Sequence, residues 1–240
     1  MTTASVDHAK ALNALLRSLK SKYAPEGELP QRTPLEEMIY SYLLWEAPIA
    51  KADAAYRRLM NHVVDVNELR VCRPPEIIAS IGKTYPLAEE RAMRLKASLH
   101  EIYLREFAVS LDKCASLSKR DARRYLDTLE GMPPFVAARV VLLRLGGHAI
   151  PVDNNLLIRL IAKGVVEPDY DCSRAEGVLE RHVKADDGIQ VHLTLLNWAD
   201  DPATEPKKQK VTRKTEEPAD PPAAKPTVKS GTTKRVKAKA

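Results

Sequence analysis

Residues 119–163, KRDARRYLDTLEGMPPFVAARVVLLRLGGHAIPVDNNLLIRLIAK, constrain the fold of this chain more than any other stretch. Apolar residues recur at helical spacing through Leu126 and Leu129, stop at Glu130-Gly131-Met132-Pro133, and resume with Val136, Val140 and Val141. That spacing predicts a helix, a tight turn at 129–134, and a second helix over 135–145. An extended step over 149–152 follows, then Asp153 and a further helix. Two helices joined by a short glycine-containing turn can aim backbone N–H groups at a phosphate, which makes Gly131 and Met132 candidate contacts. Turns of this kind also join many helical pairs that bind nothing. Asp153 sits where a helix begins and is an expected N-cap for the N–H of Asn155 or Leu156.

The rest of the body carries the same punctuation. Thr33-Pro34-Leu35-Glu36 is a capping box with proline at the first helical position. Asp65-Val66-Asn67-Glu68 and Ser173-Arg174-Ala175-Glu176 repeat the N-terminal signal, and Ser118 caps a helix over 119–128 with Asp121 near its positive end. Leu12, Leu15, Leu16 and Leu19 share one face of an N-terminal helix. Leu95, Leu99, Ile102 and Phe107 mark a long helix starting near Pro86. Gly82, Gly146 and Gly164 fall where helices should stop. With about ten helices, no strand hairpin and no internal repeat, the expected class is all-α.

Charge separates along the chain. Residues 201–240 hold eleven Lys/Arg against five Asp/Glu and no aromatic, Leu or Ile. Residues 1–200 balance at 27 of each sign, so the whole formal charge of +6 lies in the tail. A segment so poor in apolar residues is expected to be disordered. It serves either as an arm for polyanions or as a solubilising tail. The expected organisation is therefore an N-terminal helix over 1–24, a helical domain over 25–200 and a disordered Lys/Pro/Ala-rich tail over 201–240. No apolar run reaches the ~18–20 residues of a membrane span. Cys72, Cys114 and Cys172 show no paired spacing, and no secretory signal opens the chain, so a reducing, intracellular setting is expected. The histidines have no carboxylate or cysteine partner at i, i+4, so no metal site and no cofactor is expected.

Leucine, x, glycine and a tight hairpin, then an alanine- and valine-rich helix, then an extended step ending in Val152-Asp153 form one ordered pattern. In this order the chain resembles the helix-hairpin-helix DNA glycosylases of the endonuclease III superfamily. The resemblance extends from Thr33-Pro34-Leu35-Glu36-Glu37 through Ala54-Ala55 to residues 188–199, GIQVHLTLLNWA, and covers roughly residues 25–200. It implies a two-lobed helical domain that binds duplex DNA, damaged at the target base, and flips that base into a cleft. It also implies base-excision repair by a monomer that is cytoplasmic and associated with nucleoid or chromatin. By the same resemblance, the aspartate after the hairpin stabilises the sugar cation formed as the base leaves, and Asp153 matches that aspartate.

Four departures from the family pattern have consequences. Phe135 stands where bifunctional members carry a lysine, so no amine is present to form a Schiff base. Pro133 replaces the second glycine of the hairpin and removes one N–H donor. Glu46, after Trp45, matches the glutamine that fills the gap left by the flipped base. No cysteine follows Cys172, so four thiolates for an iron–sulfur cluster are lacking. Lys119, Arg120, Arg123 and Arg124, just before the hairpin, are candidate phosphate contacts or a solvated helix face. Tyr40, Tyr42 and Trp45 are either core or a stacking surface for a base. With Trp45, Glu46 and Phe135 as base-pocket candidates, two functions remain open. One is a monofunctional glycosylase acting through Asp153. The other is a catalytically inactive helix-hairpin-helix module that binds DNA or protein and is tethered by its basic tail.

Overall fold

The computed structural model describes residues 7–206, and every regular element among them is helical. In chain order these are α1 (His8–Leu19), α2 (Pro34–Leu44), α3 (Ile49–His62), α4 (Val66–Val71), α5 (Pro74–Ile81) and α6 (Ala88–Glu106). They continue with α7 (Asp112–Ser116), α8 (Lys119–Asp127), α9 (Pro134–Arg144), α10 (Asn154–Ala162), α11 (Cys172–His182) and α12 (Gly188–Asp200). Two 3-10 turns, Ala185–Asp187 and Pro202–Thr204, flank α12. The twelve helices among the described residues exceed the roughly ten expected; the five-residue α7 carries little periodic signal of its own.

The capping signals act where expected. Thr33 Oγ1 accepts the Glu36 N–H at 3.2 Å, and the Glu36 carboxylate accepts the Thr33 N–H at 2.7 Å. Asp65 and Ser118 accept from the backbone N–H groups of Glu68 and Asp121. Two expectations need correction. The cap of α11 is Asp171, which accepts the Arg174 N–H at 2.7 Å, so this helix begins before Ser173. Phe107 does not share the buried face of α6: it caps the helix in a left-handed conformation and is 84% exposed.

α2 and α9 are buried on almost every side, as expected for helices apolar all round. Met38, Ile39, Tyr42 and Leu43 of α2 meet Val136, Ala137, Val140 and Val141 of α9 in a core that α3 to α8 enclose. A second core joins the chain ends: Leu12, Leu15 and Leu19 of α1 pack with Leu160, Leu179, Leu195 and Trp198 of α10, α11 and α12. The body is thus two-lobed, with α9 and the 149–153 step passing from one lobe to the other. Glu37 is buried between α2 and α9, with the guanidinium groups of Arg139 and Arg144 on its carboxylate. Neighbouring cations hold its carboxyl below the ordinary carboxylate range despite burial. Arg123 of α8 bridges the lobes through Glu176 of α11 at 2.9 Å.

The body runs past residue 200. Thr204 Oγ1 donates to the Trp198 carbonyl at 2.7 Å and accepts from Arg159 Nε at 3.0 Å. The disorder expected of the tail falls, from residue 207 on, outside the described residues. No helix among the described residues is long and apolar enough to cross a membrane.

Candidate active site

The hairpin is built at 128–133, between α8 and α9. Gly131 has φ +75°, and a Cβ there would lie 2.9 Å from the Arg94 carbonyl oxygen, so only glycine fits. The turn is held on its inner side. Ser98 Oγ donates to Glu130 O at 2.7 Å, and Tyr42 Oη, 2.6 Å from Ser98 Oγ, reaches Gly131 O at 3.0 Å. Tyr42 is therefore a core residue, as is Tyr40, whose hydroxyl donates to Asp53 at 2.8 Å. The Met132 N–H donates to Leu129 O within the turn. With Pro133 and Pro134 lacking an N–H, the turn has few donors left, and Gly131 N–H is one without a partner among the described residues.

Asp153 is 8% exposed and caps α10: Oδ1 accepts the Leu156 N–H at 2.9 Å. Its Oδ2 accepts the Glu46 N–H from the α2–α3 loop at 3.1 Å. Burial pushes the Asp153 carboxyl above the ordinary carboxylate range; the two N–H donors and Arg159 oppose this, and the nearby Glu46 adds to it. The Glu46 side chain is held by the Asn154 amide, and Glu46 has φ +53°, a left-handed conformation costly for a non-glycine residue.

Asp153, Glu46 and Phe135 line one pocket of about 370 Å³, between the α2–α3 loop, the start of α9, the 149–153 step and α12. Three of the expected site residues are thus brought together, Glu46 and Asp153 from positions 107 apart. Trp45 is not among the lining residues; it lies half-buried, its ring within 6 Å of the Arg91 and Arg94 guanidinium carbons. Lys119, Arg120 and Arg124 are exposed on α8, whereas Arg123 is engaged by Asp127 and Glu176.

Two residues that sequence reasoning missed complete the site. His192 of α12 is 1% exposed, lines the pocket beside Phe135 with ring centroids 6.5 Å apart, and has no partner for Nε2 among the described residues. Burial, then the nearby Arg139, lowers its pKa well below the ordinary value, so the imidazole is neutral. The usable signal was its place on the buried face of α12 with Leu195 and Trp198. Arg91 of α6 is fully buried and donates to Trp45 O at 2.6 Å and to Pro86 O at 3.1 Å. Each of these carbonyls precedes a residue with positive φ, Glu46 and Leu87. One guanidinium therefore ties together two strained loops beside the pocket. Burial lowers its pKa to about 10, so it stays charged at neutral pH.

No protein-family model matches the chain, and no curated protein matches it in sequence. Solved structures do share its fold. A trapped covalent intermediate of endonuclease III with DNA aligns with a TM-score of 0.62 at 18% identity, over 82% of this chain and 85% of that one. A Clostridium acetobutylicum 8-oxoguanine glycosylase/lyase bound to double-stranded DNA aligns at 0.60 and 18%, over 80% and 70%. A thermostable thymine-DNA glycosylase aligns at 0.58 and 17%, over 79% and 86%. The chain has the all-helical fold of the endonuclease III-type helix-hairpin-helix glycosylases. A four-cysteine cluster does not fit it: Cys72, Cys114 and Cys172 lie on three separate elements, and no cysteine follows them.

Proposed function

We propose that this protein is a monofunctional DNA glycosylase of base-excision repair, which hydrolyses the bond between a flipped base and its sugar and leaves the strand intact. The observation that carries the reading is the pairing in one pocket of a buried carboxylate, Asp153, with an aromatic ring, Phe135, at the position where a Schiff-base lysine would stand. A base inside the duplex is out of reach, so it is extruded into the pocket at a cost of a few kcal/mol. As the C1′–N bond breaks, its electron pair goes to the base and positive charge develops on the sugar. A carboxylate held in a poorly solvated site, and destabilised there when alone, gains most from that charge. Water then adds to C1′ and gives up its proton. The two backbone N–H groups on Asp153 keep it aimed before the substrate arrives.

Phosphate contact is assigned to the exposed Lys119, Arg120 and Arg124 and to the Gly131 N–H. One observation favours the second reading, an inactive DNA- or protein-binding module: the hairpin has lost donors at both Pro133 and Pro134. Incubating lesion-bearing duplexes with the protein and borohydride separates the outcomes. The expected result is free base, an intact strand with an alkali-labile site, and no trapped protein–DNA adduct. An adduct mapped to the hairpin would overturn the monofunctional mechanism, and binding without any base release would support the inactive module.

A further inference from the structure

The charges around the pocket select its occupant. Glu46, Asp153, Asp200 and Glu205 line it against only Lys51 and Arg159, an excess of two negative charges. The Arg159 guanidinium is already engaged by Thr204 Oγ1 and the Asn155 carbonyl. An anionic ligand is disfavoured in such a lining and a cation is favoured, the more so where water is excluded. An aromatic wall, Phe135, adds a face on which a flat cation can lie. The unpartnered Nε2 of His192 is a second, independent sign of a ligand, because a buried polar atom left without a hydrogen bond costs ~1–3 kcal/mol.

The pocket also lacks something a neutral leaving base would need. A neutral base departs well only when a proton reaches it in the transition state, and that requires a positioned acid. His192, neutral and deprived of charge by burial, is no such acid. Lys51 is exposed, and Glu46, Asp153, Asp200 and Glu205 enter the lining as the negative charges counted above, not as acids. We infer that the pocket takes a positively charged nucleobase, an N-alkylated purine, with His192 hydrogen-bonding its polar edge and Phe135 against its ring. The inference rests on reading the site as that of a glycosylase.

The chemistry balances without an acid. The C1′–N9 electron pair neutralises the cationic base, which leaves as a neutral molecule. The sugar becomes an oxocarbenium ion beside the Asp153 carboxylate. Water adds at C1′, and its proton passes to Asp153 and on to solvent.

The test uses the full chain and measures base release by chromatography from duplexes carrying 7-methylguanine or 3-methyladenine. Parallel duplexes carry uracil, thymine opposite guanine, 8-oxoguanine or an oxidised pyrimidine, and binding is measured to a duplex with a stable abasic analogue. Methylated purines should be released at least ~10²-fold faster than any neutral base, about 2.7 kcal/mol of discrimination. On the acid side the rate should rise with pH along a single limb, set by Asp153 under the influence of Glu46, Arg159 and Cys172. Faster release of a neutral base overturns this inference and leaves the glycosylase reading intact. No release from any duplex, with abasic DNA still bound, overturns both.

Discussion

Asp153 serves two masters, and the two make opposite demands as pH changes. Its carboxyl titrates above the ordinary range in the folded protein, so between the ordinary aspartate value and that raised value the folded state binds more protons than the unfolded one. Stability therefore falls as pH rises through this window, while the ionised form needed for catalysis grows. Glu176, its carboxyl raised to about 7 by burial, makes both proteins lose stability with rising pH, so thermal unfolding of the wild type and of Asp153→Asn across this range should show the steeper loss in the wild type. A parallel course for both would remove the burial argument. Asparagine keeps one oxygen for the Leu156 N–H but leaves the Glu46 N–H facing an amide or nothing, so the substitution loosens the α2–α3 loop as well as removing charge. His192 makes a contrasting case. Replacing it with phenylalanine removes an unsatisfied buried polar atom at similar volume, so the melting temperature should hold or rise. Base release should nonetheless fall about tenfold or more, the value of one lost hydrogen bond to substrate. A lower melting temperature with unchanged release would make His192 a packing residue only.

At the scale of elements, short-range signals proved readable and long-range ones did not. Thr33, Asp65 and Ser118 cap the helices they were expected to cap because a cap is closed within three residues. The turn at Gly131 was legible for the same reason. Asp171 does not stand out in the sequence because Ser173 offers the same chemistry two residues later, and only the fold decides between them. Phe107 departs from the buried face its spacing predicts because apolar character alone does not reveal that the chain leaves α6 through a left-handed residue. In the site, Asp153, Glu46 and Phe135 were legible through their order along the chain. Arg91 and His192 were not, since each acquires its role from residues dozens of positions away. The hairpin yields a direct test: Gly131→Ala forces a side chain into a left-handed conformation and against the Arg94 carbonyl. It should lower stability by about 2 kcal/mol or more in urea unfolding. Arg91→Met should do more, since it strands the carbonyls of Trp45 and Pro86 inside the protein. It should also reduce base release beyond the loss of folded protein, because Glu46 and Leu87 both lose their tether.

For the whole molecule, the structure sharpens the division of charge. With Asp201 and Glu205 assigned to the body, residues 7–206 carry 27 basic and 29 acidic residues, and residues 207–240 carry eleven basic and three acidic. An excess of +8 thus adjoins a body of −2. If each excess tail cation neutralises one phosphate, log affinity for duplex DNA should fall against log salt with a slope of ~−7. Removing residues 207–240 should flatten the slope to ~−1 to −2, the share of Lys119, Arg120, Arg124 and the hairpin. Equal slopes with and without the segment would return it to a solubilising role.

The pocket joins a buried carboxylate to an aromatic wall, and single-turnover base release with and without that carboxylate shows whether the two act together. Wild type and Asp153→Asn are compared on one methylated duplex at saturating protein, with affinity for the abasic duplex measured beside it. The wild type should release base, the variant should lose ~10²–10³-fold, as for removal of one group stabilising transition-state charge, and the two affinities should lie within a few-fold of each other. Equal release rates for the two proteins would contradict this and leave Asp153 as no more than the cap of α10.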